Sequence, residues 1–336
     1  MIAYIVRRLV GAVALMLVIS AVTFSIFFLL PRIAGTTSDD LASRFAGKAP
    51  TPETVQAVKE RFGFDDPIAV QYGRFVKGVV AGDTYDTGTA EIDCPAPCFG
   101  YSFRTNTNVT DQLVDRLPVT LSLVVGAAVL WLVIGISIGV LSALRRGSFF
   151  DRATMLVALA GVSLPIFFTG LLSLTFVVHE WGLLPPVRYT GFLDNPFAWA
   201  GNLILPWVTL AFLYAAMYAR MTRAGMLETL NEDYIRTARA KGLPEGTVIS
   251  KHALRSTLTP LLTLFGLDIG LLLGGAVLTE RTFSLAGLGR LALDGVVGSD
   301  LPVVLGVVTV AALFIVIANL VVDILYGVVD PRVRHS

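Results

Sequence analysis

The chain has 336 residues, 54% of them hydrophobic and 15% charged, with a formal net charge of +1 and a mean hydropathy of +0.72. Soluble domains carry about 25% charged residues, so this composition excludes an ordinary water-soluble fold. The apolar residues are gathered into long runs that suit a hydrocarbon layer about 30 Å thick and that a globular core does not need.

The first run, Leu9 to Leu30, is 22 residues without a charge. It exceeds the 7–15-residue apolar region of a signal peptide and no clear A-x-A site follows, so an uncleaved first span is expected. Comparable runs lie at about Leu117 to Leu144, Ala153 to Val178, Leu203 to Ala219, Leu261 to Leu278 and Pro302 to Val322. Backbone groups in lipid must pair within their own segment, and the alternation of an outer-membrane barrel strand is absent, so all six are read as helices. The expected fold class is all-α: a polytopic membrane protein with six transmembrane helices and a small extracytoplasmic region between the first two. The expected divisions are 1–30, 31–116, a transmembrane core over 117–327 and a tail over 328–336.

Basic residues orient the spans. Arg7 and Arg8, then Arg145, Arg146 and Arg152, then the basic residues from Arg220 to Arg255, then Arg332 and Arg334 all fall on one side. The short loops 179–202 and 279–301 on the other side hold only Arg188, Arg281 and Arg290, which makes the first side cytoplasmic, both termini included. The 31–116 segment is too long for its charges to bear on orientation.

Within 31–116, Thr51 to Phe62 predicts a short helix, with Thr51 as N-cap, Pro52 in its first turn and Val55, Val58 and Phe62 on one face. The segment is either a cap over the bundle or a tether between two spans. Cys94 and Cys98 are the only cysteines, and an oxidising exterior favours a disulfide between them. Two thiols and the scattered His179, His252 and His335 make no metal centre.

Residues 220–260 form the longest cytoplasmic loop, and their pattern is helical. Tyr234 to Lys241 predicts a short helix, Gly242 a left-handed cap, and Pro244 a stop, with a second helix starting near Glu245 and running into span five. The elbow would display Ala238 and Gly242 as small contact points beside Arg236, Arg239 and Lys241; a solvated basic loop is the alternative. In span five, Gly266, Gly270 and Gly274 recur every four residues as a small-residue packing stripe, with Gly135 and Gly139 a shorter one on span two. Asp268 is the ionisable residue set well inside a span, a candidate for the translocation path or for pairing with a neighbouring helix. Asn319 and Asp323 look like boundary or packing groups.

Neither G-x-x-x-x-G-K-[ST] nor H-E-x-x-H occurs, and no Ser/His/Asp set has a supporting context. A transport function energised by ATP would therefore need its motor on a separate polypeptide.

The stretch Asp233-Tyr-Ile-Arg-Thr-Ala-Arg-Ala-Lys-Gly-Leu243, with Lys251-His-Ala-Leu-Arg255 and Pro260 after it, resembles the coupling motif of type I ABC importer permeases in its oligopeptide/dipeptide version. The resemblance continues through Leu273 to Glu280, Phe283-Ser284, Gly287 to Arg290, Val322 to Tyr326 and Asp330 to Arg332. It also takes in Arg7 to Leu9, Phe64 to Pro67, Gln71-Tyr72, Arg116 to Thr120 and Leu144 to Gly147, so nearly the whole chain is covered, in the manner of the B-type subunit. It implies a homologous second permease subunit, two ATPase subunits that bind ATP and Mg and seat on the elbow through Tyr234, Arg236, Ala238, Arg239, Lys241 and Gly242, and an extracytoplasmic substrate-binding protein. No cofactor in this chain and no nucleic-acid partner are implied. The segment Asp83 to Cys98 departs from the pattern as an insertion, Asp268 stands where a neutral polar residue is expected, and Arg236-Thr237-Ala238 replaces the usual Glu-Ala-Ala. The implied substrates are di- and oligopeptides, with nickel chelates, glutathione and an ATP-independent transporter as alternatives, and a non-transporting scaffold as the rival from another class.

Overall fold

The computed structural model describes residues 2–46, 51–86, 91–274 and 276–329. Helix α1 (Ile2–Phe24) is prolonged by a wide π-type stretch at Ser25–Leu29 and a last turn at Leu30–Ile33, so that Val10–Ile33 makes the first apolar span. Gly35, at φ +89°, turns the chain out of it. Thr37 then caps α2 (Ser38–Phe45) in a reciprocal box: its hydroxyl accepts from the Asp40 N–H and the Asp40 carboxylate accepts from the Thr37 N–H. Next come α3 (Pro52–Phe62), whose start matches the Thr51-Pro52 signal, and α4 (Ile68–Ala81).

Four short strands follow that the all-α expectation did not include. They are β1 (Asp83–Asp86) paired antiparallel with β2 (Glu91–Cys94), and β3 (Tyr101–Ser102) paired with β4 (Thr107–Asn108). Cys94 and Cys98 are joined by a disulfide, and both are buried with Tyr85 and Tyr101.

Helix α5 (Val109–Leu144) begins eight residues before the predicted Leu117 and carries Pro118 inside. The third apolar run is not a single rod: α6 (Phe149–Ser163) and α7 (Ile166–Glu180) are bent by 104° at Leu164 and Pro165. Proline lacks an N–H and pushes the residue before it into extended backbone, where Leu164 lies at ψ 130°. Helix α8 (Pro196–Thr229), capped by Asn195, reaches well past the predicted Ala219, so residues 220–229 belong to a helix and the loop is shorter than expected. It leads to α9 (Asp233–Ala240) and α10 (Glu245–Leu273). The predicted fifth span ended at Leu278, but α10 stops at Leu273, and α11 (Val277–Thr282) is a separate helix. Helices α12 (Leu288–Val297) and α13 (Leu301–Val329) complete the chain. Five described helices are long and apolar enough to cross a membrane, or six when the bent pair counts as one. The side chain of Asp323 and the tail from residue 330 lie outside the described residues.

The chain divides into two compact units. One comprises residues 1–120, 273–277 and 286–316. Its first core joins Phe24 and Phe28 to Leu41, Ala42, Val58 and Phe64, so the segment after the first span packs on that span as a cap and is not a loose tether. Its second core sets Val109 and Leu113 against Leu288, Leu291, Val303 and Val307. Here Asp300 precedes the first turn of α13, and its buried carboxylate accepts the Ser102 hydroxyl. Burial pushes the Asp300 carboxyl above its ordinary range.

The other unit comprises residues 121–272, 278–285 and 317–336. Its helices α5 and α8 approach closely because α5 offers glycines. A Cβ on Gly135 would lie 2.9 Å from the Tyr218 Cβ, and one on Gly139 would lie 2.6 Å from the Ala219 carbonyl oxygen. Lower on the same seam, the Trp207 indole N–H donates to the Ser122 carbonyl at 2.9 Å and its ring covers Gly126.

Candidate functional site

The elbow after α8 is built from strong local signals. Helix α9 ends in a left-handed cap: Gly242 sits at φ +75°, its N–H donates to the Arg239 carbonyl at 2.9 Å, and the Leu243 N–H reaches back to the Ala238 carbonyl at 3.3 Å. This double bond pattern satisfies the last carbonyls of α9 and needs a residue free of a Cβ penalty. Pro244 then starts α10, whose first N–H groups donate to its carbonyl. A bidentate pair ties the two helices: Arg239 donates from Nε to one Glu245 oxygen at 3.1 Å and from Nη2 to the other at 2.6 Å. The carboxylate holds the Arg239 guanidinium above its ordinary pKa.

The two faces of α9 differ. Ile235 and Ala238, three apart, are buried with Ala143 of α5, Met226 of α8, and Val248 and Ala253 of α10. Tyr234, Arg236, Arg239 and Lys241 are exposed, and Gly242 lies open at the tip. Ala238 was expected as an outward contact point, but the helical repeat that buries Ile235 turns it into the chain's own core. Gly242 serves first as the cap.

Asp268 in α10 accepts the Tyr218 hydroxyl at 2.8 Å. Around it, Trp131 stacks on Tyr214 with ring centres 4.7 Å apart and meets Phe265 edge-on at 6.3 Å. The carboxylate is thus partnered by a neighbouring helix while still partly accessible. Of the glycine stripe on the same helix, Gly266 is packed against Val322 and Gly270 is buried, but Gly274 lies beyond the last helical residue, so the stripe is shorter than its spacing suggested.

A further polar centre escaped the sequence reading. Asp151, with 4% of its side chain exposed, accepts from Arg223 Nε at 2.5 Å and Nη2 at 2.8 Å, from the Gly147 N–H at 2.9 Å and from the Ser142 hydroxyl. It joins the last turn of α5, the first turn of α6 and the far end of α8. Both charged residues stand at the ends of apolar runs, where charge reads as topology. The usable signal was Ser148-x-x-Asp151 before an apolar run, a helix-start pattern in which the Ser148 hydroxyl accepts the Asp151 N–H at 3.2 Å. Glu280, fully buried in the same unit, was likewise not singled out.

Among the described residues, no group of three or more His, Cys, Asp or Glu side chains could hold a metal ion. The arrangement offers an exposed, rigidly capped helix at the end of a membrane bundle, which suits a mechanical contact.

Comparison with known proteins agrees with that geometry. The family described as "Binding-protein-dependent transport system inner membrane component" matches residues 135–335, and its N-terminal counterpart matches residues 1–124. The dipeptide transport system permease proteins of Escherichia coli (strain K12) and Alkalihalophilus pseudofirmus are 37% and 36% identical to the chain, each alignment covering all of both proteins. A solved chain from inward-facing conformations of the MetNI methionine ABC transporter superposes with a TM-score of 0.53 at 20% identity, covering 66% of this chain and 97% of that one, and so shares its fold. The chain therefore belongs to the family of binding-protein-dependent transport system inner membrane components, the multi-pass inner-membrane permeases of ABC importers.

Proposed function

We propose that the chain is a channel-forming permease subunit that moves di- and oligopeptides from the extracytoplasmic space into the cytoplasm. The observation that carries this reading is the full-length similarity to permeases named for dipeptide transport. In the proposed complex a homologous second permease completes the pathway, two ATPase subunits bind and hydrolyse ATP, and an extracytoplasmic binding protein delivers substrate. Both termini and the elbow at 229–260 face the cytoplasm, in keeping with the clustering of basic residues there.

The elbow supports a coupling role because its outer face carries Tyr234, Arg236, Arg239 and Lys241 while its inner face is welded to three long helices. Closure of the ATPase pair on nucleotide displaces α9, and the ends of α5, α8 and α10 move with it as one body. The nucleotide biases the two states through its preference for the closed motor. Asp268 is proposed to face the substrate path.

The test is co-purification and uptake. Deletion of 234–243, or Gly242→Pro, is expected to abolish ATP-dependent peptide uptake and retention of the ATPase subunits while membrane insertion stays intact. A deleted protein that still retains its ATPases would overturn the coupling assignment.

A further inference from the structure

A carboxylate inside a span is stable there only if something answers its charge. Asp268 accepts one hydrogen bond from a neutral group, the Tyr218 hydroxyl at 2.8 Å, and among the described residues no arginine, lysine or histidine forms an ion pair with it. Arg223, further along α8, is taken by Asp151. Arg220 follows Tyr218 by two residues, which puts it on the opposite side of α8.

The rings around Asp268 fix where this charge sits. Tyr214 and Tyr218 lie one turn apart on α8 and so share a face. Trp131 of α5 stacks on Tyr214, has its ring centre 6.3 Å from that of Tyr218, and meets Phe265, which lies close to one turn before Asp268. Trp131 and Tyr218 are fully buried. On another face of α10, a Cβ on Gly266 would meet a Val322 methyl of α13 at 2.5 Å. Helix α10 is thus gripped on two sides, and the carboxylate is held against a dry aromatic floor.

The side away from that floor is open. Leu261 and Leu272 are buried, whereas Leu267 is 49% exposed, Leu271 is 67% exposed and Leu264 is half-buried. Asp268, itself part-exposed, stands on the border between the two sets, with Leu264 and Leu271 one turn before and after it. Hydrocarbon cannot fill an opening beside an uncompensated carboxylate, so water or a cation must reach it. There an anion is repelled and a neutral group gains only a hydrogen bond. A cation gains the Coulomb attraction as well, strengthened by the low polarity of the aromatic floor.

We propose that Asp268 is a specificity-determining residue of the translocation path, an anionic station that favours peptides with an additional positive charge over peptides with an additional carboxylate. The proposal rests on the peptide-import reading and deepens it: the free charge on this helix sets which peptides pass most readily.

The test has two arms, both on the assembled complex in proteoliposomes. In the first, ATP-dependent uptake of Leu-Lys and of Leu-Glu is measured at sub-saturating concentration with the binding protein supplied. Selection by the binding protein is common to every variant, so it cancels when the Leu-Lys to Leu-Glu ratio is compared between them. Asp268→Asn, which keeps an acceptor for Tyr218, is expected to lower that ratio about tenfold, the order expected of a unit charge acting across a partly hydrated gap, and Asp268→Glu to keep it. A ratio unchanged in Asp268→Asn overturns the proposal, including the case in which all uptake falls together, as a merely structural carboxylate would require.

In the second arm, Leu271→Cys is treated with a cationic or an anionic methanethiosulfonate and modification is read from the mass of this chain, whose two native cysteines are closed in a disulfide. Faster reaction with the cationic reagent is expected, with the preference lost when Asp268→Asn is added. No reaction with either reagent puts the opening against lipid, and equal rates mean that the charge is already answered by another subunit; each overturns the site. If the wild type takes up neither peptide nor Leu-Leu while the reagent preference stands, the peptide reading fails and the anionic station remains.

Discussion

The Asp151–Arg223 pair offers the sharpest test of how the helix ends are held. Removing one partner of a buried ion pair typically costs about 3–5 kcal/mol, because the other charge is left without compensation. The two ends of this pair are unequal: the Arg223 side chain is 25% exposed and can move toward water, whereas Asp151 is 4% exposed and cannot. Arg223→Met strands the buried carboxylate on the Gly147 N–H and the Ser142 hydroxyl, and is expected to cost about 3 kcal/mol. Asp151→Asn keeps an acceptor for part of the network and lets Arg223 reach solvent, so about 2 kcal/mol is expected. The double variant should cost less than the two singles together, with a coupling near 2 kcal/mol, inside the range of about 0.5–3 kcal/mol for residues sharing a network. Denaturation midpoints of the purified protein in mild detergent give the four corners of the cycle. Single effects that add to within about 0.5 kcal/mol would refute the claim that these groups act as a unit.

Gly139→Leu has no room against Thr222 and the Ala219 carbonyl, so a loss of about 1–3 kcal/mol or failure to fold is expected, read from detergent-solubilised yield and denaturation midpoint. Tyr218→Phe, which strips Asp268 of its hydroxyl donor, is expected to destabilise by about 1–3 kcal/mol, and the further change Asp268→Asn to restore part of that loss. Asp300 has a carboxyl raised by burial, so the native state favours its protonated form and this group's contribution weakens as pH rises above about 4. Asp300→Asn should therefore flatten the fall in stability between acid and neutral pH, and a steeper fall would contradict it. The paired change Cys94→Ser with Cys98→Ser opens a very short loop and should cost about 2 kcal/mol locally, seen as faster proteolysis between residues 83 and 108 with the spans unaffected.

The spans were legible because lipid imposes one simple demand, a long apolar run, and each of the six runs falls mainly on helix, the third broken at Leu164–Pro165 and the fifth leaving helix after Leu273. What hydropathy cannot report is direction. The run from Ala153 to Val178 stays apolar through Leu164 and Pro165, and the 104° bend there leaves no mark on mean hydropathy; only the proline signals it. The strands between 83 and 108 were missed for a different reason: two to four residues each are too short for a period-2 pattern to stand out, and their pairing is held by the Cys94–Cys98 bridge and by Tyr101 packing on Tyr85. The elbow was read nearly residue for residue, since its stop signals, Gly242 and Pro244, act locally.

The glycine stripes show where local signals end. Gly266, Gly270 and Gly274 have ideal spacing, but spacing names only a face and says nothing of what meets it. On α5 the shorter stripe of Gly135 and Gly139 takes the backbone of α8 at distances that exclude any side chain. On α10, the atoms nearest Gly266 belong to the side chain of Val322, which can yield. A close seam in this unit thus runs along α5 and α8, the two helices whose far ends also hold Asp151 through Ser142 and Arg223 and bury Ile235 and Ala238 of α9. A close-packed seam does not shear gradually. A push on Tyr234 or Lys241 therefore cannot be absorbed by tilting α9 alone: its inner face shares a core with Ala143 and Met226, so α5 and α8 must shift with it, and α6 follows through the Asp151 clamp.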